Sequence, residues 1–251
     1  METLVDTVFL SIVIIGRNEG GRLPALFSSL PRGADIEWIY VDSDSSDDSR
    51  DVALQAGAKV YRIDKDSVCG PGTGRRVGTA VASGCWILYL DGDMALRPEF
   101  LPFLERLRSE DPPTPTAGFV GRTRNRFTDK EGKVTDERDY VVLSPREMGL
   151  PLTWGIPTRY HGGAVLYLKE WVEKVGSWNP ALYQLEEVEL LCRVRSAGGV
   201  MRALDLPLAD HYTPYLSFKE RLALNFMPRF KGKKLYGAGQ VVTASLREGG
   251  F

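Results

Sequence analysis

Cysteine is scarce in this 251-residue chain: Cys69, Cys85 and Cys192 are an odd number without the paired spacing of a structural zinc site. A disulfide framework is excluded, and a reduced, cytoplasmic setting is expected. Histidine is scarcer still, with only 2 present, one of them His211. Long hydrophobic runs are missing as well. The most apolar stretch, residues 8–15, is interrupted by Ser11 and falls far short of the ~20 residues a spanning helix needs. Glu2 and Asp6 do not make the basic start of a signal peptide. There is no excess of positive charge either: the formal net charge is -1, so nucleic acid is not an expected partner. Internal repeats and low-complexity segments are also lacking.

What is present is ordinary for a globular protein, with 43% hydrophobic and 26% charged residues. A chain of this length can bury a substantial core. Through the first hundred residues apolar runs alternate with helical stretches. Strands are expected at 8–15, 38–41, 58–62 and 86–90, and helices at 22–30, 48–56, 75–83 and 98–108. Near-continuous apolar strands separated by helices imply an α/β fold whose mostly parallel sheet is covered on both faces. Asp111-Pro112-Pro113-Thr114-Pro115 then breaks the pattern. Beyond it shorter strands are expected at 118–120, 122–127, 141–143 and 163–168, with a turn at 129–132 and a helix at 185–197. Three regions follow: a nucleotide-binding half at 1–110, a smaller mixed acceptor-binding half at 111–215, and a C-terminal extension at 216–251. That extension is basic and aromatic, with Phe218, Lys219, Arg221, Phe226, Arg229, Phe230, Lys231, Lys233, Lys234 and Tyr236. It reads either as a solvated surface helix or as a face for peripheral contact with the inner membrane surface or a lipid-linked acceptor.

The chemistry concentrates where strands end. Tyr89-Leu90-Asp91-Gly92-Asp93 runs an apolar strand into two carboxylates, at the edge where parallel sheets bind ligands. Residues two apart on an extended backbone turn to one side, and Gly92 permits close approach of a ligand. Two hard oxygen donors suit Mg²⁺ or Mn²⁺, with phosphate oxygens and water completing the shell. The acidic turn from Asp42 through Asp44 to Asp48 follows the second strand. It caps the next helix and offers Asp42 to a base or ribose. Gly16-Arg17-Asn18-Glu19 ends the first strand. Gly70-Pro71-Gly72-Thr73-Gly74-Arg75-Arg76 lacks the Gly-Lys-Ser/Thr of a P-loop, yet places flexible backbone and two guanidinium groups near a helix start. Glu186, Glu187 and Glu189 open a helix, Glu189 and Arg193 forming an i, i+4 pair. Glu186 or Glu187 is placed to act as a general base. His211, after an apolar run, is a candidate to complete a metal site.

Taken in order, these segments resemble glycosyltransferase family 2, the inverting enzymes of GT-A fold. The similarity is carried by residues 11–19, by Val41-Asp42-Ser43-Asp44-Ser45-Ser46-Asp47, and by residues 74–78 leading into Leu90-Asp91-Gly92-Asp93. It continues in Gly162-Gly163-Ala164 and in Glu186-Glu187-Val188-Glu189-Leu190 with Arg193. The resemblance implies a Rossmann-like sheet and transfer of a sugar from a uridine or guanosine diphosphate sugar to a carbohydrate or lipid-linked acceptor. It assigns the nucleotide to Gly16, Arg17, Asn18, Glu19, Asp42, Asp44 and Gly92, the diphosphate to Arg75, and the metal to Asp91 and Asp93. Glu187 stands where the family has a catalytic Asp, and Arg76 where Asn is usual. The competing readings are a nucleotidyltransferase, which wants a glycine-rich basic loop directly after the first strand, and a non-catalytic sugar-nucleotide binder.

Overall fold

A computed structural model of the chain describes residues 8–64, 70–129, 131–140, 154–159, 161–182 and 185–214. The first part lays down β1 (Leu10–Gly16), α1 (Leu23–Ser29), β2 (Ile36–Asp42), α2 (Ser49–Ala56), β3 (Lys59–Arg62), α3 (Pro71–Val81) and β4 (Trp86–Asp91). β1, β2 and β4 bury almost every side chain on both faces, which is why they read as continuous apolar runs rather than alternating ones. Then come β5 (Met94–Leu96), a 3₁₀ turn at Pro98–Phe100, and α4 (Leu101–Ser109). The remainder is β6 (Thr116–Thr128), β7 (Val134–Tyr140), β8 (Ile156–Pro157), β9 (Val165–Leu168), α5 (Lys169–Lys174), α6 (Glu186–Ser196) and β10 (Val200–Pro214).

These strands form one sheet in the order β3-β2-β1-β4-β9-β6-β10-β5, with β7 beside β6 and β8 beside β10. β1 lies between β2 and β4, parallel to both. β9 runs antiparallel to β4 and β6, and β10 runs parallel to β6. The sheet is thus mostly parallel, as expected. On one face Leu23 and Leu26 of α1 and Phe103 and Leu104 of α4 pack against Ile12, Ile14 and Leu88. On the other, Leu190, Leu191 and Val194 of α6 pack with Val13, Ile39 and Ile87.

Some expectations shift. α3 begins at Pro71 rather than Arg75, because proline suits a first helical turn and the glycines bring the helix onto β1. A Cβ on Gly74 would lie 2.9 Å from Ile15, and one on Gly78 would collide with Val13. The glycine-rich segment is therefore a packing surface and not a flexible cradle. β6 runs unbroken through Gly121, where a Cβ would stand 2.6 Å from the Leu206 carbonyl oxygen; that glycine serves close strand approach, not a turn. β5, β7, β8, β10 and α5 lie beyond the expected elements. The strand expected at 141–143 and the basic, aromatic segment from 217 onward lie outside the described residues. The divide expected near residue 110 falls between α4 and β6, and the sheet continues across it, β9 pairing with β4 and β10 with β5. Among the described residues no helix is long and apolar enough to cross a membrane.

Candidate active site

The parallel register sets Gly16 beside Asp42 and Ile15 beside Asp91, so three strand ends meet at the carboxyl edge of the sheet. Two loops close there by bonding each other. The Asn18 amide donates to Ser45 Oγ at 2.9 Å, the Glu19 amide to Ser49 Oγ at 2.8 Å, and the Ser46 amide to Asn18 Oδ1 at 2.8 Å. Asn18 and Asp44 take left-handed backbone at φ 59° and 61°, which short polar side chains tolerate best.

Gly16, Arg17, Asn18 and Glu19 keep accessible surface over this edge. Asp44 accepts a hydrogen bond from Arg62 at 2.7 Å near the rim. Asp42, expected to face a base or ribose, is instead fully buried. Its Oδ2 accepts from the Ser45 amide at 2.9 Å and Tyr40 lies 3.5 Å from Oδ1, so it holds the turn from beneath. Gly92 is also buried, pressed under the Glu19 side chain: a Cβ there would sit 2.8 Å from Glu19 Cγ. Burial, then the Asp93 charge, pushes the Glu19 carboxyl up to about 7 against the pull of Arg22.

Asp93 and His211 are brought together, Nε2 standing 3.3 Å from Oδ2, while His211 Nδ1 faces Asn125 Oδ1 at 3.1 Å. A neutral ring can donate from Nε2 to Asp93 and accept at Nδ1 from the Asn125 amide, whose oxygen and nitrogen exchange by a side-chain flip. Burial disfavours the charged ring, but Asp93 outweighs it and raises the His211 pKa. Asp93 and His211 are two donors of the kind a hard divalent cation takes. Asp91 is only partly free for it, its Oδ1 accepting from Arg75 at 2.8 Å. Among the described residues no group of three or more His, Cys, Asp or Glu side chains is gathered closely enough to cage a metal.

Arg75 departs from its expected place beside a diphosphate. Because α3 lies tight on β1, its side chain points inward and is 2% exposed. It donates to Glu186 at 2.6 Å and Asp91 at 2.8 Å, with Glu187 at 3.9 Å. Burial opposes its charge, but Asp91, Glu187 and Glu186 outweigh that and hold its pKa above the ordinary value. Glu186 is consequently a buried ion-pair partner, its side chain 3% exposed, and is not free to act as a base. Glu187 keeps 22% of its side chain exposed. Burial pushes its carboxyl up to about 7; Arg75 pulls down, while Glu186 and Asp91 push up.

Beneath these groups lies a layer that sequence reading missed. His161 is fully buried, Nε2 accepting from Tyr167 at 2.8 Å and Nδ1 donating to the Gly162 carbonyl at 2.9 Å. Burial lowers its pKa to about 4, so the ring is neutral. Trp178 lies under the Arg75 guanidinium at 5.1 Å. The only available signal for His161 was its place directly before Gly162-Gly163.

Residues 11–176 match the family described as glycosyl transferase family 2. A 4,4'-diaponeurosporenoate glycosyltransferase of Staphylococcus haemolyticus is 32% identical over 98 residues, 37% of this chain and 26% of that protein. An uncharacterized glycosyltransferase of Haemophilus influenzae is 25% identical over 198 residues, 74% of this chain and 61% of that one. The chain thus spans less than two thirds of each relative, 26% and 61%. S. aureus TarS 1-349 in complex with UDP-GlcNAc superposes with TM-score 0.64 at 14% identity, over 95% of this chain and 66% of that one. GalNAc-T7 with UDP, GalNAc and Mn²⁺ superposes with TM-score 0.60 at 20% identity, over 84% and 44%. At such identities the likeness is one of fold, and the expected GT-A architecture is borne out.

Proposed function

This chain belongs to glycosyl transferase family 2, and on that premise we propose that it moves a sugar from a nucleotide-diphosphate sugar to an acceptor hydroxyl with inversion. One observation carries the reading. Of the two neighbouring carboxylates that open α6, Glu186 is locked on Arg75, while Glu187 stays accessible with a proton affinity near neutrality. That is the state a general base needs. In the reaction Glu187 takes the proton of the attacking hydroxyl. The acceptor oxygen bonds to the anomeric carbon as the bond from that carbon to the diphosphate oxygen breaks on the opposite face.

Arg17, Asn18 and Glu19 would hold the nucleotide, with Asp44 at the rim. Asp93 and His211, with the free oxygen of Asp91, would hold Mn²⁺ or Mg²⁺, which supplies positive charge to the departing diphosphate. A uridine diphosphate sugar is the first donor to try, because structures of the same fold hold UDP, UDP-GlcNAc, or UDP with Mn²⁺. Carbohydrate and lipid-linked hydroxyls are the acceptor classes.

The test is release of nucleoside diphosphate from a panel of UDP- and GDP-sugars, with and without EDTA, for the native chain and Glu187→Gln. Glu187→Gln is expected to cut transfer by about 10²-fold or more while UDP or GDP affinity survives. EDTA is expected to abolish both binding and transfer. A native chain that consumes no sugar nucleotide, or a Glu187→Gln variant as fast as native, would sink the proposal.

A further inference from the structure

Resting on that reading, we infer that Arg75 is a positioning residue: its guanidinium ties the metal-side carboxylate Asp91 to the base-bearing helix α6, and it does not touch the donor. A ligand can contact only what solvent can reach, and the Arg75 side chain is 2% exposed. The carboxylates around it are the reachable groups, with 31% of the Asp91 side chain and 22% of that of Glu187 exposed. The guanidinium thus lies behind the acids that keep accessible surface. Each of its ends is committed, one terminal nitrogen to Asp91 at 2.8 Å and the other to Glu186 at 2.6 Å.

The socket around it is built for a planar, two-ended cation. Trp178 lies under the group at 5.1 Å. Thr79 Oγ1 anchors to the Arg75 carbonyl at 2.7 Å and meets the Tyr89 hydroxyl at 2.6 Å. Gly163 passes so close that a Cβ would lie 2.6 Å from Asp91 Oδ2 and 3.0 Å from Arg75 Nη2, and His161 braces that turn through Tyr167. Asp91 ends β4 and Glu186 opens α6, far apart in the chain. One fork-shaped cation bridging them fixes where Glu187, the next residue, stands relative to the metal edge. Lysine carries the charge but cannot bridge two carboxylates in a plane.

Arg75→Lys should lower kcat about tenfold or more while donor KM, and affinities for UDP and UMP with Mn²⁺, each change less than about threefold. A variant that loses UDP but keeps UMP would place the guanidinium on the terminal phosphate and overturn the inference. Native kcat in Arg75→Lys would overturn it too. Should Arg75→Lys lose cooperative melting, Glu186→Gln decides. It keeps shape and hydrogen bonding, so lower kcat with native UDP affinity supports the bridge, and native kcat refutes it. A double-mutant cycle in thermal unfolding between Arg75→Lys and Asp91→Asn reads the bridge without activity, and additive effects would break it. Failure of the glycosyltransferase reading shows separately, as a native chain that binds neither UDP nor GDP and turns over no sugar nucleotide.

Discussion

A carboxylate with ordinary proton affinity is a weak base at neutral pH, and the two acids at the start of α6 show how neighbouring residues are driven apart. Glu186 is paired with Arg75 at 2.6 Å, whereas Glu187 stands off at 3.9 Å and is pushed up to about 7 by burial. In the proposed mechanism Glu187 must be unprotonated to accept the hydroxyl proton, so kcat/KM should rise with pH and level off above about 7. Each unit below the midpoint should cost about tenfold. Glu19 is also held near 7, so the profile is best measured in Glu19→Gln as well. The acidic limb should persist there and vanish in whatever activity Glu187→Gln retains. A flat profile between pH 5.5 and 8 would exclude Glu187 as the titrating base. The acids Asp91, Asp93, Glu186 and Glu187 were legible in sequence because strand ends and helix starts advertise them. The inward direction of Arg75 was not, since it depends on how tightly Gly74 and Gly78 let α3 lie on β1, nor was the burial of Asp42, which depends on Ser45 and Tyr40 closing on it.

At the level of elements, glycines decide outcomes by two different routes. Gly57 ends α2 in the left-handed region at φ 92°, where its amide bonds back to Ala53 and Leu54, and no atom lies within 4 Å of where a Cβ would stand. Gly57→Ala therefore meets only backbone strain, about 1 kcal/mol, a fall in Tm of roughly 2–4 °C for a chain of this size. UDP affinity should stay native. Gly78 lies inside α3 against Val13. There alanine gains about 1 kcal/mol of helix propensity but overpacks the helix–sheet contact at about 1–3 kcal/mol. The clash wins, and Gly78→Ala should lower both Tm and kcat, because α3 carries Arg75. Calorimetric melting and initial rates on the two variants check this; equal kcat losses would mean that α3 placement is not what matters. Strands β1, β2 and β4 were readable from their apolar runs. β7 and β10 were not: β7 reads Val134-Thr135-Asp136-Glu137-Arg138-Asp139-Tyr140, and β10 mixes polar residues with two prolines. Pairing with β6 makes strands of both, and that pairing is invisible in either segment alone.

For the whole molecule the question is whether a nucleotide-binding half could stand alone. The strand order says it could not. β4, the last strand of that half to join the parallel block, is covered on its far side by β9, Trp86 pairing with Leu168 and Tyr89 with Val165. Among the described residues β5 pairs with β10 alone. The core crosses the divide on both faces. Phe119, Ala164, Leu166, Leu204 and Leu208 join the cluster with Ile12, Leu88 and Phe103. Ala117, Val165, Tyr167, Trp178 and Leu190 join the one with Val13, Ile39 and Ile87. Residues 1–110 expressed alone would leave the β4 edge unpaired and both apolar faces open, a template for aggregation rather than a stable half. The fragment should show no cooperative melting and no UDP affinity, while the full chain melts in a single transition. A soluble 1–110 fragment that unfolds cooperatively and binds UDP would show two separable domains instead. The proposed site also argues for unity: Asp91 and Asp93 come from before the divide, Glu187 and His211 from after it, and Arg75 spans it through its bond to Glu186.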